Sequence, residues 1–377
     1  MRVRKWPAVV LAIAAVVSAA GPAAAQPAWR LAQIPPTAVT SFLQDVAALD
    51  AGNAWAVGTE AFDPAQESTT GVPLMLRWNG KTWSRTSLPV TQERVVFQRV
   101  AASSAKDVWV KGSPLYPNGS AVLLWRYDGV TWTEVPYPPG ATPSNLSIRD
   151  LSVVDGHAWL VGHRGNAPVF HEWNGSTWLE HQPPTECVAG GSFPNFCFAN
   201  TVKAFAPDDV WAAGNGWWNG FMGPVLFHWN GTAWRTVDIG LNQQQLTIQS
   251  LDGLSSKDIW AVGDSGGMGS GNVVVRGDGT TWQTVDGLQT PSTPAVAVGS
   301  NGVPWVVARI PLPTFRSHGP AGWAMAMAPV PAGASGVEYA AITGVPGTNR
   351  MIAVGYAGVQ GTNPLRSQAV IAEYARR

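Results

Sequence analysis

The chain has 377 residues, 24 basic and 24 acidic, and only 13% of it is charged. That balance excludes a nucleic-acid footprint, which needs a concentrated basic surface. Its 20 tryptophans, set against two cysteines, give it an unusual amount of flat aromatic surface to bury.

The first residues read as an export leader. Arg2, Arg4 and Lys5 form a positive segment, Ala8 to Ala20 is apolar, and Ala23-Ala24-Ala25 offers small residues for cleavage before Gln26. The apolar run is too short for a bilayer span, and no later stretch is longer and apolar. The sequence therefore predicts a leader over 1–25 and a single exported domain over 26–377, secreted, extracellular and without a membrane span. Removing the leader leaves 21 basic against 24 acidic residues.

The remainder repeats. "NAWAVG" ends at Gly58, "DVWVKG" at Gly112, "HAWLVG" at Gly162, "DVWAAG" at Gly214 and "DIWAVG" at Gly263; "VPWVVA" and "RMIAVG" are degenerate copies. The lead positions Trp55, Trp109, Trp159, Trp211, Trp260, Trp305 and Ile352 are spaced by 45 to 54 residues, the period of a propeller blade. Between them lies a second motif: "WNGKTW" (Trp78 to Trp83), then "YDGVTW", "WNGSTW", "WNGTAW" and "GDGTTW". Its Asn-Gly and Asp-Gly steps favour positive φ and predict a tight hairpin. Each unit divides into four short segments of alternating polarity, rich in β-branched and aromatic residues, and these read as strands. Asp107, Asp209 and Asp258, at the earlier turn, are expected to accept backbone N–H groups.

A closing tryptophan follows each hairpin: Trp83, Trp132, Trp178, Trp234, Trp282 and, in the sixth unit, Trp323. The seventh unit ends at Arg377 without one. The missing strand is at the other end, where "AWRLAQIPP" (Ala28 to Pro36) resembles "TWSRTSLPV". The expectation is all-β: a seven-bladed propeller with four antiparallel strands per blade and the last blade closed by the N-terminal strand, leaving no long free edge. The repeated tryptophans are expected to pack between sheets.

Repeats that pair a "vWavG" strand with a "wnG-x-x-W" hairpin resemble tectonin-type lectin propellers. They are also similar, more loosely, to the Asp-box of sialidase-like propellers, whose G-x-T-W end Gly80, Thr82 and Trp83 match. The first resemblance implies carbohydrate binding. Propellers as a class host many activities.

Other motifs contribute little chemistry. Cys187 and Cys197 in an exported chain predict one local disulfide. "GDSGG" (Gly263 to Gly267) resembles a serine-protease nucleophile segment, but Gly263 is the repeat glycine and no histidine base site accompanies it. The six histidines have no metal-ligand spacing, and "GMGSG" (Gly267 to Gly271) lacks the helix a phosphate loop needs. "NGS" at Asn118 and Asn174 matches the glycosylation pattern, although Asn174 is also the hairpin turn residue. No cofactor or metal is implied.

Connections after the second and fourth strands are long and unequal, and in a propeller they share one face. Function is expected there. The residues placed on it are Phe62, Asp63, Tyr116, His163, Arg164, Trp217, Trp218, Phe221, Asp264, Phe315, Arg316 and His318, with Phe193 and Phe196 of the cysteine segment. "NGWWNGFMG" (Asn215 to Gly223) reads as an aromatic, glycine-rich loop able to stack on sugar rings or grip a peptide. Three readings stay open: a monomeric, non-catalytic binding protein for a glycan; a propeller glycosidase or lyase, with Glu60, Glu67, Glu93 and Asp264 as available carboxylates; and a scaffold for an extracellular or cell-surface protein.

Overall fold

A computed structural model describes residues 27–63, 71–90, 95–114, 122–137, 146–188, 196–218, 221–241, 246–264, 272–288, 290, 295–308, 313–361 and 366–375. The leader, Tyr116 and Phe193 lie outside these residues. So do Asn118, Glu67, Glu93 and most of "GDSGG".

Seven sheets of four antiparallel strands form a ring. In six of them the strands pair in sequence order, as in blade three: Leu146–Val154, His157–Arg164, Ala167–Trp173 and Trp178–His181. In blade seven the outer strand is Ala28–Leu31, which pairs with Arg366–Ala375 through Trp29 opposite Tyr374. Each first strand contacts the first strand of the next blade, and the seventh contacts the first. Trp323 takes its place on the outer strand Gly322–Met327 of blade six. The described residues hold one further element, a short 3-10 turn at Thr185–Cys187.

The hairpin corners follow the sequence reading. Asn79, Asn174 and Asn230 each accept, through Oδ1, the N–H groups two and three residues on, and Asp128 and Asp278 do the same. The following glycine has positive φ, +93° at Gly80 and +97° at Gly175.

The tryptophans divide into two sets. Lead residues Trp55, Trp109, Trp159, Trp211 and Trp260 are at most 2% exposed. Closing residues bind each blade to the one before it. Trp234 stacks on Phe170 of blade three at 4.0 Å, and Trp29 stacks on Phe315 of blade six at 3.7 Å. The Nε1 of Trp83 donates to Glu373 of blade seven at 3.1 Å.

Asp107, Asp209 and Asp258 do not accept backbone N–H groups in this way; side chains occupy them. Arg126 lies over Trp109 and donates to Asp107 at 2.8 Å; Arg276 lies over Trp260 and donates to Asp258 at 2.7 Å. His228 stacks on Trp211 and bonds Asp209 at 2.9 Å. The partner is always the third-strand residue directly opposite the lead tryptophan. Blades three and seven exchange the signs: His157 meets Glu172 at 2.7 Å, and Arg350 meets Glu373 at 2.8 Å. Glu172 takes a second imidazole, His181, at 2.7 Å, and the two histidines hold its carboxyl below the usual range against the opposing effect of burial.

The repeat glycine has a steric role. A Cβ on Gly58, Gly162, Gly214, Gly263 or Gly355 would stand 1.9 to 2.0 Å from a carbonyl oxygen of the first strand. Beside each of them the first strand carries a β-bulge, for example between Ile148 and Asp150 against Gly162 and Val161. A side chain here would displace the innermost strand.

Ring closure depends on Trp29, which packs on Phe315, Trp305 and Tyr374 and is 8% exposed. Trp29→Ala is expected to cost about 3–5 kcal/mol, the range for emptying a large aromatic site. Urea unfolding followed by tryptophan fluorescence checks this; a loss under about 1 kcal/mol would show that the N-terminal strand contributes little to closure.

Candidate functional site: the channel mouth and the rim of blades three and four

The seven first strands surround a polar channel with a cavity of about 380 Å³. Its wall is tied together by side chains that cross between blades. Asp45 accepts the N–H of Val100 at 2.9 Å, Asp150 that of Val202 at 2.9 Å, and Asp252 that of Val298 at 2.8 Å. Ser152 and Ser250 do the same for Ala204 and Val296. Arg99 donates to Asp150 at 2.9 Å and Lys203 reaches Asp252 at 2.6 Å.

The bulges insert one extra residue in six of the seven first strands, next to the channel-lining residues: Gln44, Gln98, Arg149, Asn200, Gln249 and Ala340. The sequence reading missed this ring. A signal for it exists in the recurring polar-polar-apolar triplets "QDV", "QRV", "RDL", "NTV" and "QSL", each inside a first strand.

Beside Arg149 lies an aromatic platform. The His163 ring is 4.6 Å from that of Phe198, and Phe198 is 5.2 Å from Phe196, which pairs directly with Trp217. All four are half-buried. Their direction follows from "FCFAN": buried Cys197 turns inward to its disulfide with Cys187, so by the two-residue strand period the flanking phenylalanines face the other way. The disulfide ties the segment after blade three to the first strand of blade four across ten positions. Burial and the positive charge of Arg149 lower the affinity of His163 for a proton, partly offset by its bond to the Gly165 carbonyl.

Several expected loop residues are strand residues. Trp217 and Trp218 end the strand Asp209–Trp218, and Phe221 begins its partner Phe221–Trp229, so "NGWWNGFMG" is a hairpin with a two-residue connection. His163 and Arg164 end a strand; Arg164 forms a bidentate pair with Glu180 at 2.6 and 3.3 Å. Asp264 ends the strand Asp258–Asp264 in blade five, the neighbour of blade four. Phe315, Arg316 and His318 belong to the strand Thr314–Gly319. Phe315 is fully buried, and His318 pairs with Trp323 near the hairpin turn, at the opposite end from the long connections. The structure thus brings together His163, Phe196 and Trp217, adds Phe198 and Arg149, and places Arg316 and His318 on blade six.

Lys111 lies under the mouth. It is 4% exposed, pairs across the sheet with Arg99, and its Nζ donates to Gln98 Oε1 at 2.5 Å. Burial, then the charges of Arg99 and Arg149, outweigh Asp150 and push its pKa down to about 7. Burial raises Asp45 to about 6 against the pull of Arg99.

No family model matches the chain, and no curated protein matches it. Solved structures do. YCF48 bound to D1 peptide aligns with a TM-score of 0.56 at 15% identity, over 93% of this chain and 97% of that one. The GH74 xyloglucanase from Xanthomonas campestris aligns at 0.55 and 15% identity, over 88% of this chain and 53% of that one. The WD40 propeller domain of Doa1 gives 0.52 at 12% identity, over 91% and 96%. At such identities the likeness is one of fold. This chain is a β-propeller repeat protein.

Lys111 makes stability depend on pH. Between pH 7 and 10.5 the unfolded chain holds a proton that the folded chain has released, so stability rises with pH across that window. Below pH 7 the cost of the buried charge is fully present. Lys111→Met is therefore expected to gain on the order of a few kcal/mol at pH 6, a gain that shrinks towards pH 10.5. Urea unfolding at pH 6, 8 and 10 checks it, and an equal effect at all three refutes it.

Proposed function

We propose that this protein is a secreted, non-catalytic binding module that takes a glycan on the platform of His163, Phe196, Phe198 and Trp217. The observation that carries the reading is the placement of four half-buried aromatic groups on the strands of blades three and four, with Cys187–Cys197 beneath them. Strand-borne rings lose little freedom when a sugar ring stacks on them. Asn200 and Asn215, whose amides lie 3.4 Å apart beside the platform, offer hydrogen bonds to hydroxyls.

Binding is favoured over hydrolysis by how the channel carboxylates Asp150 and Asp45 are used. Both oxygens of Asp150 are taken, by Arg99 and the Val202 N–H, and Asp45 is turned to the Val100 N–H. Glycoside hydrolysis needs two carboxyls facing a substrate, whereas these two face neighbouring blades. Export is supported by the leader-like first residues and the disulfide. Among the described residues no helix is long and apolar enough to cross a membrane.

A glycan array, with chromogenic glycosides alongside, tests the reading. Binding without turnover is expected, and Trp217→Ala or Phe198→Ala should each weaken it at least about tenfold, the scale of one lost aromatic contact. Turnover would make the protein an enzyme. Silence on the array would favour a protein-binding scaffold.

A further inference from the structure

We propose that the channel mouth between blades two and three is an anion subsite, by which the platform selects carboxylate-bearing sugars such as uronates over neutral ones. This rests on the glycan reading above and specifies its ligand.

The inference comes from two departures from the repeat. The residue before the repeat glycine is Val57, Val161, Ala213, Val262, Val307 or Val354 in the other blades; in blade two it is Lys111. Among the bulge residues five are neutral, and the one in blade three is Arg149. These two substitutions sit on adjacent blades, within electrostatic reach of each other and of Arg99. Arg149 is also within reach of His163, so the basic cluster borders the aromatic platform.

The local charges are unevenly paired. Arg99, Lys111 and Arg149 are faced by Asp150 and Asp45. Asp150 is consumed by Arg99 and a backbone N–H, and Asp45 is turned to the Val100 N–H of the neighbouring strand. Lys111 keeps one neutral partner, Gln98, for an ammonium with three protons to donate. Arg149 is exposed and has no ion pair among the described residues. Arg99 and Arg149 both repel the charged form of Lys111, and neither Lys111 nor Arg149 has a carboxylate hydrogen-bonded to it among the described residues. A bound carboxylate relieves that repulsion, accepting from the Arg149 guanidinium while stabilising the charged form of Lys111. The sugar ring carrying it then lies over His163 and Phe198.

Two measurements separate this inference from the reading it rests on. The first uses sodium sulfate as a small-anion probe at constant ionic strength, with Lys111 followed by NMR of its side chain. A saturable shift towards the protonated form is expected in wild type and should be lost in Arg149→Gln, an exposed change that leaves the fold intact. No saturable shift, or the same shift in the variant, overturns the subsite. The second compares trigalacturonate with its methyl ester by calorimetry. The acid should bind at least about tenfold tighter, as for one charge-assisted contact, and Arg149→Gln should abolish the difference. Equal binding of acid and ester overturns the inference and leaves the glycan reading standing. A sulfate response with no binding of either sugar overturns the glycan reading, and with it the assignment of uronates.

Discussion

The innermost strands of a propeller converge on its axis, and here they can do so because the second strand presents a glycine to each bulge. The space between the Gly162 Cα and the Ser147 carbonyl has no room for a methyl group. With the glycine in place, the first strand kinks and gains one residue, which is polar in every bulge but that of blade seven. The same kink aligns Asp45 and Asp150 with the N–H groups of the next blade. One steric constraint thus produces the channel, the clamps between blades and the ring of inserted residues.

The outer parts of the blades obey a different rule. The lead position is flanked by a polar pair: one member precedes it by two positions, and the other sits opposite it on the third strand. Blades two and five place acid then base, and blades three and seven place base then acid. Either order neutralises the pair, so the sign is free to vary while the geometry is kept. Such exchange hides the repeat from any comparison of residue types one column at a time. The residue it surrounds is tryptophan in blades two to five, where it fills a large flat space, and Ile352 in blade seven.

That difference explains what could be read from the sequence. Blade number, hairpin corners, the disulfide and the N-terminal closing strand all rest on local signals: an Asn-Gly step, a cysteine pair, a period near fifty residues. The site rests on non-local ones. "NGWWNGFMG" suggested a loop because glycine is frequent in loops, yet Gly216 lies within 3.2 Å, by its Cβ direction, of Cys197 Sγ and is required by close strand packing. "FRSHG" suggested a loop because its hairpin lacks an Asn-Gly step, but Phe315 fills the space against Trp29 and fixes the segment as a strand. Phe198 was overlooked because its exposure follows from the inward turn of Cys197, one residue earlier. The bulges were invisible as geometry, though their polar triplets were present in the sequence.

Placed on this frame, the departures from symmetry have a location. Positions shared by all blades serve packing, and substituting them damages every interface alike. Lys111, Arg149, the phenylalanines around Cys197 and the disulfide break the repeat, and all fall on blades two to four. Lys111 is costly there: valine or alanine fills the same position in six other blades without a buried charge. A residue that weakens the fold where a stable alternative is available at equivalent positions is best explained by what it does at the surface it borders. The protein thus combines a nearly symmetric scaffold with one asymmetric sector, and that sector is where the stability of the scaffold is lowered.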